Sequence, residues 1–184
     1  MRTPVPGTQE LGRRGGTENV PGILAAGAAA EEASQWLSDS GARETLRAQR
    51  DRFERTILAA APGSVVNSGG APRLWNTSNI AFEYIEGEAI LLLLNKLGIA
   101  ASSGSACTSG SLEPSHVMRA MGIPYTAAHG TIRFSLSVYN TEAEIDRVIA
   151  AVPTIVAQLR KLSPYWTDKG PAANPEAAFA PTYA

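Results

Sequence analysis

The sequence predicts an α/β sandwich, with helices packed on a small mixed sheet, and three stretches carry that expectation. Residues Gly130 to Ser137 alternate. Ile132, Phe134 and Leu136 face one way and Thr131, Arg133, Ser135 and Ser137 the other, the period of two of a strand with one buried face. Ile145, Val148, Ile149, Val152, Ile155, Val156 and Leu159 recur at helical spacing and form one apolar stripe. Four consecutive leucines, Leu91 to Leu94, span more than one side of a helix. Such a helix needs apolar partners on two faces, as one wedged between a sheet and another layer has.

The remaining elements follow in chain order. Met1 to Thr17 is rich in glycine and proline and lacks apolar periodicity, so it reads as an irregular lead-in lying against something else. A helix is expected from Glu18 to Leu37, offering Ile23, Leu24, Trp36 and Leu37, with Ser38-Asp39-Ser40-Gly41 ending it. A second helix, Ala42 to Leu58, turns Leu46, Phe53, Ile57 and Leu58 inward and Arg43, Arg47, Arg50 and Arg55 outward. Glu44, Asp51 and Glu54 interleave with those arginines, so the run reads as a solvated face rather than a binding patch. Ser64 to Asn67 is expected as a short strand ended by Ser68-Gly69-Gly70-Ala71-Pro72. Thr77 to Tyr84 is the next, with Ile80 and Phe82 on one side and Asn79 and Ala81 on the other. Glu86 to Leu97 is a helix stopped by Gly98 at a position suited to a left-handed cap. Ile99 to Ser102 is a short strand leading to a loop of small residues, and Pro114 to Met121 is a short helix. Thr141 caps the final helix with Glu144 in capping-box spacing, and Pro153 is expected to bend that helix or end its first portion. After Leu162 comes a proline-, glycine- and alanine-rich tail whose Tyr165, Trp166, Phe179 and Tyr183 suit it to lie on a surface.

Composition narrows the classes of function. A chain of 184 residues with 44% hydrophobic and 18% charged residues is expected to fold into a globular protein. Sixteen basic against seventeen acidic side chains give net charge -1, so no global field draws it to nucleic acid or an anionic membrane. The apolar run Ala89 to Leu94 is too short to cross a bilayer, and Glu86, Glu88 and Lys96 flank it. Met1-Arg2-Thr3-Pro4 leads into Pro, Gly and Gln rather than an apolar segment, so no secretory signal is expected and a cytoplasmic location is. One cysteine and two histidines form no spaced ligand set, so no metal site is expected.

Cys107 cannot form an internal disulfide, which leaves an inert core thiol or a chemically useful one. Its setting, Ser103-Gly104-Ser105-Ala106-Cys107-Thr108-Ser109-Gly110, permits access, with Gly104 and Gly110 suited as hinges. No basic side chain adjoins it. Stabilisation of a thiolate would come from His129, His116, backbone donors or a bound cofactor. The glycine-rich lysine motif of phosphate-cradling loops is absent.

The run Ala101 to Gly110 followed by Ser111-Leu112-Glu113-Pro114-Ser115 closely resembles the active-cysteine segment of cysteine desulfurases in the class V aminotransferase family. The resemblance extends through Asn79-Ile80-Ala81-Phe82, Glu86-Gly87-Glu88, Ile132-Arg133-Phe134-Ser135-Leu136 and Tyr139-Asn140-Thr141. Gln9 to Asn19 is similar to the segment that follows the family's cofactor lysine. The tail, from Leu162-Ser163-Pro164-Tyr165-Trp166 to Ala178-Phe179-Ala180-Pro181, resembles the nitrogen-fixation (NifS) type more than the housekeeping iron-sulfur type.

The resemblance implies the C-terminal small domain of a fold-type I transferase dependent on pyridoxal 5'-phosphate, preceded by a fragment of the large domain. Residues 1–18 would be a remnant of the large cofactor domain with a dimer-contact loop. Residues 19–162 would be the small α/β domain with its linking helix and active-cysteine loop, and residues 163–184 the tail. The implied reaction takes sulfur from L-cysteine, releases L-alanine and leaves a persulfide on the protein, for delivery to an iron-sulfur scaffold or other acceptor by a homodimer. By the same resemblance Cys107 is the nucleophile and persulfide carrier, and Arg133 holds the substrate carboxylate. Thr17 reaches the cofactor phosphate of the neighbouring subunit, with turn stabilisation as its alternative role. Asn79 organises the substrate side of the pocket or serves as a strand-edge hydrogen-bonding residue. His116 and His129 receive no catalytic assignment, because the family's ring-stacking histidine lies upstream of the matched region. Val138 stands where the NifS-type and housekeeping members often carry arginine and other desulfurase subgroups an apolar residue. Lys96, Lys161 and Lys169 do not match the family's serine-histidine-lysine context, so the Schiff-base lysine is absent from this chain. The expectation is a truncated desulfurase without activity of its own. A non-enzymatic sulfur-accepting or assembly module and a dimerisation fragment are the alternatives.

Overall fold

The computed structural model describes residues 7–103 and 115–173. The chain divides into two compact units, residues 1–43 and 44–184. In the first, the lead-in is a structured turn, α1 (Gln9–Gly12), where Glu10, Leu11 and Gly12 have φ of 51°, 59° and 78°. A left-handed conformation at Glu10 and Leu11 costs roughly 1–2 kcal/mol each. The turn is tied off by a bridge from Gln9 to Arg14, and Arg14 ion-pairs with Glu18. Helix α2 (Val20–Ser38) starts where the Asn19 side chain accepts a hydrogen bond from the Gly22 N–H at 3.2 Å. No residue of α2 is buried: Ile23 and Leu24, expected to supply an apolar contact surface, are 60% and 68% exposed.

Helix α3 (Ser40–Ala60) begins earlier than expected because the Asp39 carboxylate accepts from the Gly41 and Ala42 N–H groups. It carries the chain into the second unit. Leu46, Phe53 and Ile57 are buried as expected, and Leu58 is 36% exposed. The arginine face departs from expectation at Arg50, which is buried, as is Glu54. Arg50 is held by Asp51 and the Leu74 carbonyl, and Glu54 by a two-pronged pair with Arg73 at 2.6 and 2.9 Å. That pair raises the Arg73 pKa above its ordinary value, the hydrogen bond to Glu54 being the main cause.

Strands β1 (Ser64–Val66), β2 (Thr77–Phe82), β3 (Ser102–Ser103) and β4 (Thr131–Ser135) form one sheet in the order β1-β2-β4-β3. Every pairing in it is antiparallel, where a mixed sheet was expected. Strands β2 and β3 do run parallel, joined through helix α4 (Gly87–Lys96), but β4 inserts between them in the opposite direction. Ile80, Phe82, Ile132 and Phe134 turn one face of the sheet to the core. There they meet Phe53 and Ile57 of α3, Ile90 and Leu94 of α4, and Ile145, Val152, Ile155 and Val156 of helix α7 (Glu142–Leu162). Phe53 packs edge-on to Phe134 with centroids 4.9 Å apart. In the leucine run, Leu94 is fully buried, Leu91 and Leu93 are partly so, and Leu92 faces solvent.

Between β3 and β4 come α5 (His116–Ala120) and a further short helix beyond the expected elements, α6 (Tyr125–Ala128). They cover one end of the opposite sheet face, where Ala81 and Thr131 are buried and the Thr131 hydroxyl donates to the Ala127 carbonyl at 3.1 Å. Helix α7 opens with the expected capping box between Thr141 and Glu144. It runs through Pro153 without interruption, so of the two expected outcomes the proline does not end the helix's first portion, and Val152, Ile155 and Val156 stay packed in the core on both sides of it. The start of the tail forms a hairpin, β5 (Trp166–Thr167) with β6 (Gly170–Pro171). Its Trp166 lies under the Arg160 guanidinium, 3.8 Å from the ring centroid. No helix among the described residues is long and apolar enough to cross a membrane.

Candidate functional site

Arg133 stands at the middle of β4 with its side chain exposed, on the sheet face opposite the core. Antiparallel register places Asn79 of β2 directly beside it on one side and Ser102 of β3 on the other. Directly paired residues project to the same face, so Arg133, Asn79 and Ser102 share one polar surface with Thr77 and Ser135. Among the described residues the Arg133 guanidinium has no hydrogen-bonding or ionic partner. A planar cation with five donors on an open face suits a carboxylate. Two of the four expected site residues are thus neighbours.

Cys107 lies outside the described residues. The chain enters that segment from Ser103, paired with Ile132 of β4, and leaves it at Ser115, whose side chain accepts from the Val117 N–H and caps α5. Both attachment points of the cysteine segment therefore belong to the unit that carries Arg133. Thr17 is exposed in the first unit, after the α1 turn.

The two histidines have different surroundings. His116 is exposed at the start of α5. His129 caps the end of α6, with its ring 4.2 Å from that of Tyr125 and Nδ1 3.5 Å from a Glu86 carboxylate oxygen. His129 holds the Glu86 carboxyl below its ordinary range, against the opposing effect of burial. The His129 carbonyl also accepts from the Gly87 N–H at 2.9 Å, so this histidine pins the junction between α6 and α4.

Asn67, the last residue of the first expected strand, belongs to the polar face. It is buried, and its Nδ2 donates to Asn79 Oδ1 at 2.6 Å and approaches the Met118 sulfur at 3.8 Å. Its backbone N–H donates to the Asn79 carbonyl at 2.8 Å.

Among the described residues no lysine stands beside Arg133 where it could hold pyridoxal phosphate. Lys96 ends α4, Lys161 lies in the last turn of α7 and Lys169 sits in the hairpin turn. All three are exposed, and none lies on β2, β3 or β4 around Arg133. Among the described residues no group of His, Cys, Asp or Glu side chains could hold a metal ion.

Residues 7–148 match the family described as aminotransferase class-V. The chain is 65% identical over 177 residues to the cysteine desulfurase NifS of Azotobacter vinelandii, covering 96% of this chain and 44% of that protein. It is 60% identical over 177 residues to a cysteine desulfurase of Klebsiella pneumoniae, covering 96% and 44% respectively. Among solved structures it resembles a NifS-like protein with TM-score 0.69 and 33% identity, over 84% of this chain and 38% of that one. It also resembles a NifS-like protein from Rickettsia africae, with TM-score 0.71 and 29% identity over 83% and 39%. The chain spans less than half the length of these relatives.

Proposed function

The chain belongs to the class-V aminotransferase family, and we propose that it is the C-terminal portion of a cysteine desulfurase of the nitrogen-fixation type. In this reading Cys107 accepts and carries sulfur, Arg133 holds the carboxylate of the L-cysteine substrate, Asn79 lines the same side and Thr17 contacts the cofactor phosphate of a neighbouring subunit. Residues 1–18 belong with the large cofactor domain, residues 19–162 form the small domain and residues 163–184 the tail. The location is cytoplasmic and the acceptor is an iron-sulfur scaffold or another sulfur acceptor.

The observation that carries this reading is the open polar face. Arg133 is exposed between Asn79 and Ser102, and β3 leads from that face directly into the segment holding Cys107. A carboxylate anchor and a thiol carrier on one small domain are the two parts that sulfur removal from an amino acid asks of it. The exposed lysines supply no cofactor attachment, so the chain is inactive alone and its role depends on lysine-bearing residues that it does not contain.

The test is reconstitution. The purified chain, given pyridoxal phosphate and L-cysteine, is expected to release no sulfide and to develop no cofactor absorbance band. Mixed with the portion of the Azotobacter relative that precedes the matched region, it is expected to release sulfide, and Cys107→Ser and Arg133→Leu are each expected to abolish that release. Turnover by the chain alone, or release that survives Cys107→Ser, would overturn the proposal.

A further inference from the structure

We propose that Asn67 is a positioning residue for carboxylate binding: it fixes the orientation of the Asn79 side-chain amide so that its N–H groups stand as donors beside Arg133. The inference rests on the reading of Arg133 as the carboxylate anchor and adds a second group to that anchor.

The argument begins with the ends of an amide. A carboxamide has an acceptor oxygen and a donor nitrogen of nearly equal shape, and only its partners decide which way it points. Two facing amides can satisfy each other in either of two opposite arrangements. At the Asn67–Asn79 pair a third atom breaks that symmetry. Asn67 Nδ2 has the Asn79 oxygen at 2.6 Å and the Met118 sulfur at 3.8 Å. A thioether sulfur accepts hydrogen bonds and donates none. With the Asn67 amide reversed, its oxygen would face that sulfur, lone pair to lone pair. Met118 therefore selects the Asn67 nitrogen as the inward donor, and Asn67 in turn makes Asn79 Oδ1 the acceptor.

The consequence falls on the other end of Asn79. With its oxygen engaged, its Nδ2 holds two N–H donors, and no hydrogen bond from it occurs among the described residues. Asn79 is the direct cross-strand neighbour of Arg133 on the exposed face. A donor pair beside a guanidinium favours an anion with two acceptor oxygens, and a reversed Asn79 would set its oxygen against that anion. The base of the device is rigid. Asn67 is buried, its backbone N–H is bonded to the Asn79 carbonyl, and Ser68 after it is held at φ 62°. Met118 is buried on α5, the first helix after the cysteine segment. The carboxylate side of the face is thereby keyed to the element that anchors that segment.

The test is a titration of the full chain, labelled with nitrogen-15, with sodium acetate as the carboxylate probe and sodium chloride at matched ionic strength as control. The expected result is a saturable shift of both the Arg133 Nε–H signal and the Asn79 side-chain NH2 signals, with the Asn67 NH2 protons slow to exchange and unmoved. In Asn67→Asp, nearly isosteric but an acceptor, Asn79 must turn its donors inward. Acetate is then expected to bind about tenfold more weakly, shifting Arg133 but no longer Asn79. The unmutated chain tests the proposal even where this variant misfolds. A response at Arg133 with none at Asn79, or an Asn67→Asp protein that still shows the full Asn79 response, would overturn this inference and leave the Arg133 anchor standing. No response at either residue would overturn the anchor itself.

Discussion

Gly130→Ala is the substitution whose effect is most directly calculable from the fold. Gly130 immediately precedes β4, and its carbonyl accepts from the Phe82 N–H at 3.1 Å, joining the start of β4 to the end of β2. A Cβ at residue 130 would lie 1.9 Å from the Phe82 carbonyl oxygen and 2.8 Å from that of Ile85. Both are backbone atoms and cannot swing aside. Restoring an ordinary contact demands a separation of about 1.5 Å between β2 and the start of β4, more than a packed core absorbs without loss. Overpacking of that kind costs roughly 1–3 kcal/mol, and the sacrificed hydrogen bond about 1 more. The expected loss is about 3 kcal/mol, read as a fall in Tm of roughly 6–12 °C for a chain of this size. The assay is thermal unfolding followed by circular dichroism, with Gly70→Ala as the companion. A Cβ on Gly70 meets nothing within 4 Å, so that variant is expected to stay within about 0.5 kcal/mol of the parent. Equal melting of the two variants would refute the close approach of β2 and β4 on which the placement of Arg133 depends.

Three further outcomes follow from other elements. Thr141→Ala removes the hydroxyl that accepts from the Glu144 N–H and is expected to cost about 1 kcal/mol in urea unfolding, with hydrogen exchange fastest in the first turn of α7. Arg160→Met removes the donors to the Pro62 and Gly63 carbonyls and the cation over Trp166; a loss of about 2 kcal/mol is expected, moderated because burial already pushes this guanidinium down to about 10. Glu86 has its pKa lowered in the fold by His129, so its stabilising contribution is complete above the ordinary glutamate range and is lost as pH falls through the depressed value. Glu86→Gln is expected to flatten the acid limb of stability against pH, and an unchanged limb would count against the pair.

What the sequence disclosed and what it hid divide along physical lines. Strand β4 and helix α7 were legible because each buries one face, and burial of one face imposes a period. The antiparallel order was not, since it depends on β4 entering between β2 and β3, a choice made by contacts far apart in the chain. Arg50 and Glu54 looked solvent-facing because their partners, the Leu74 carbonyl and Arg73, lie about twenty residues away. Helix α6 is not legible in the sequence because its four residues and the His129 that caps them are fixed from outside, by bonds from Tyr84 N–H to the Thr126 carbonyl and from Gly87 N–H to the His129 carbonyl. At the candidate site Arg133 and Asn79 could be named from the sequence, but their adjacency is a property of register. Asn67 carried no signal beyond that of the last residue of a short strand, since its role comes from an amide twelve positions on.

The central claim is that Cys107 is a sulfur carrier, and the most direct measurement is the intact mass of the chain after exposure to a persulfide donor. The Cys107 thiolate would attack the outer sulfur of the donor, forming one S–S bond as the donor's own S–S bond breaks and its thiolate departs. The account predicts a gain of one sulfur atom, reversed by a thiol reductant and absent from Cys107→Ser. An unmodified mass, or an adduct that persists in Cys107→Ser, would contradict it.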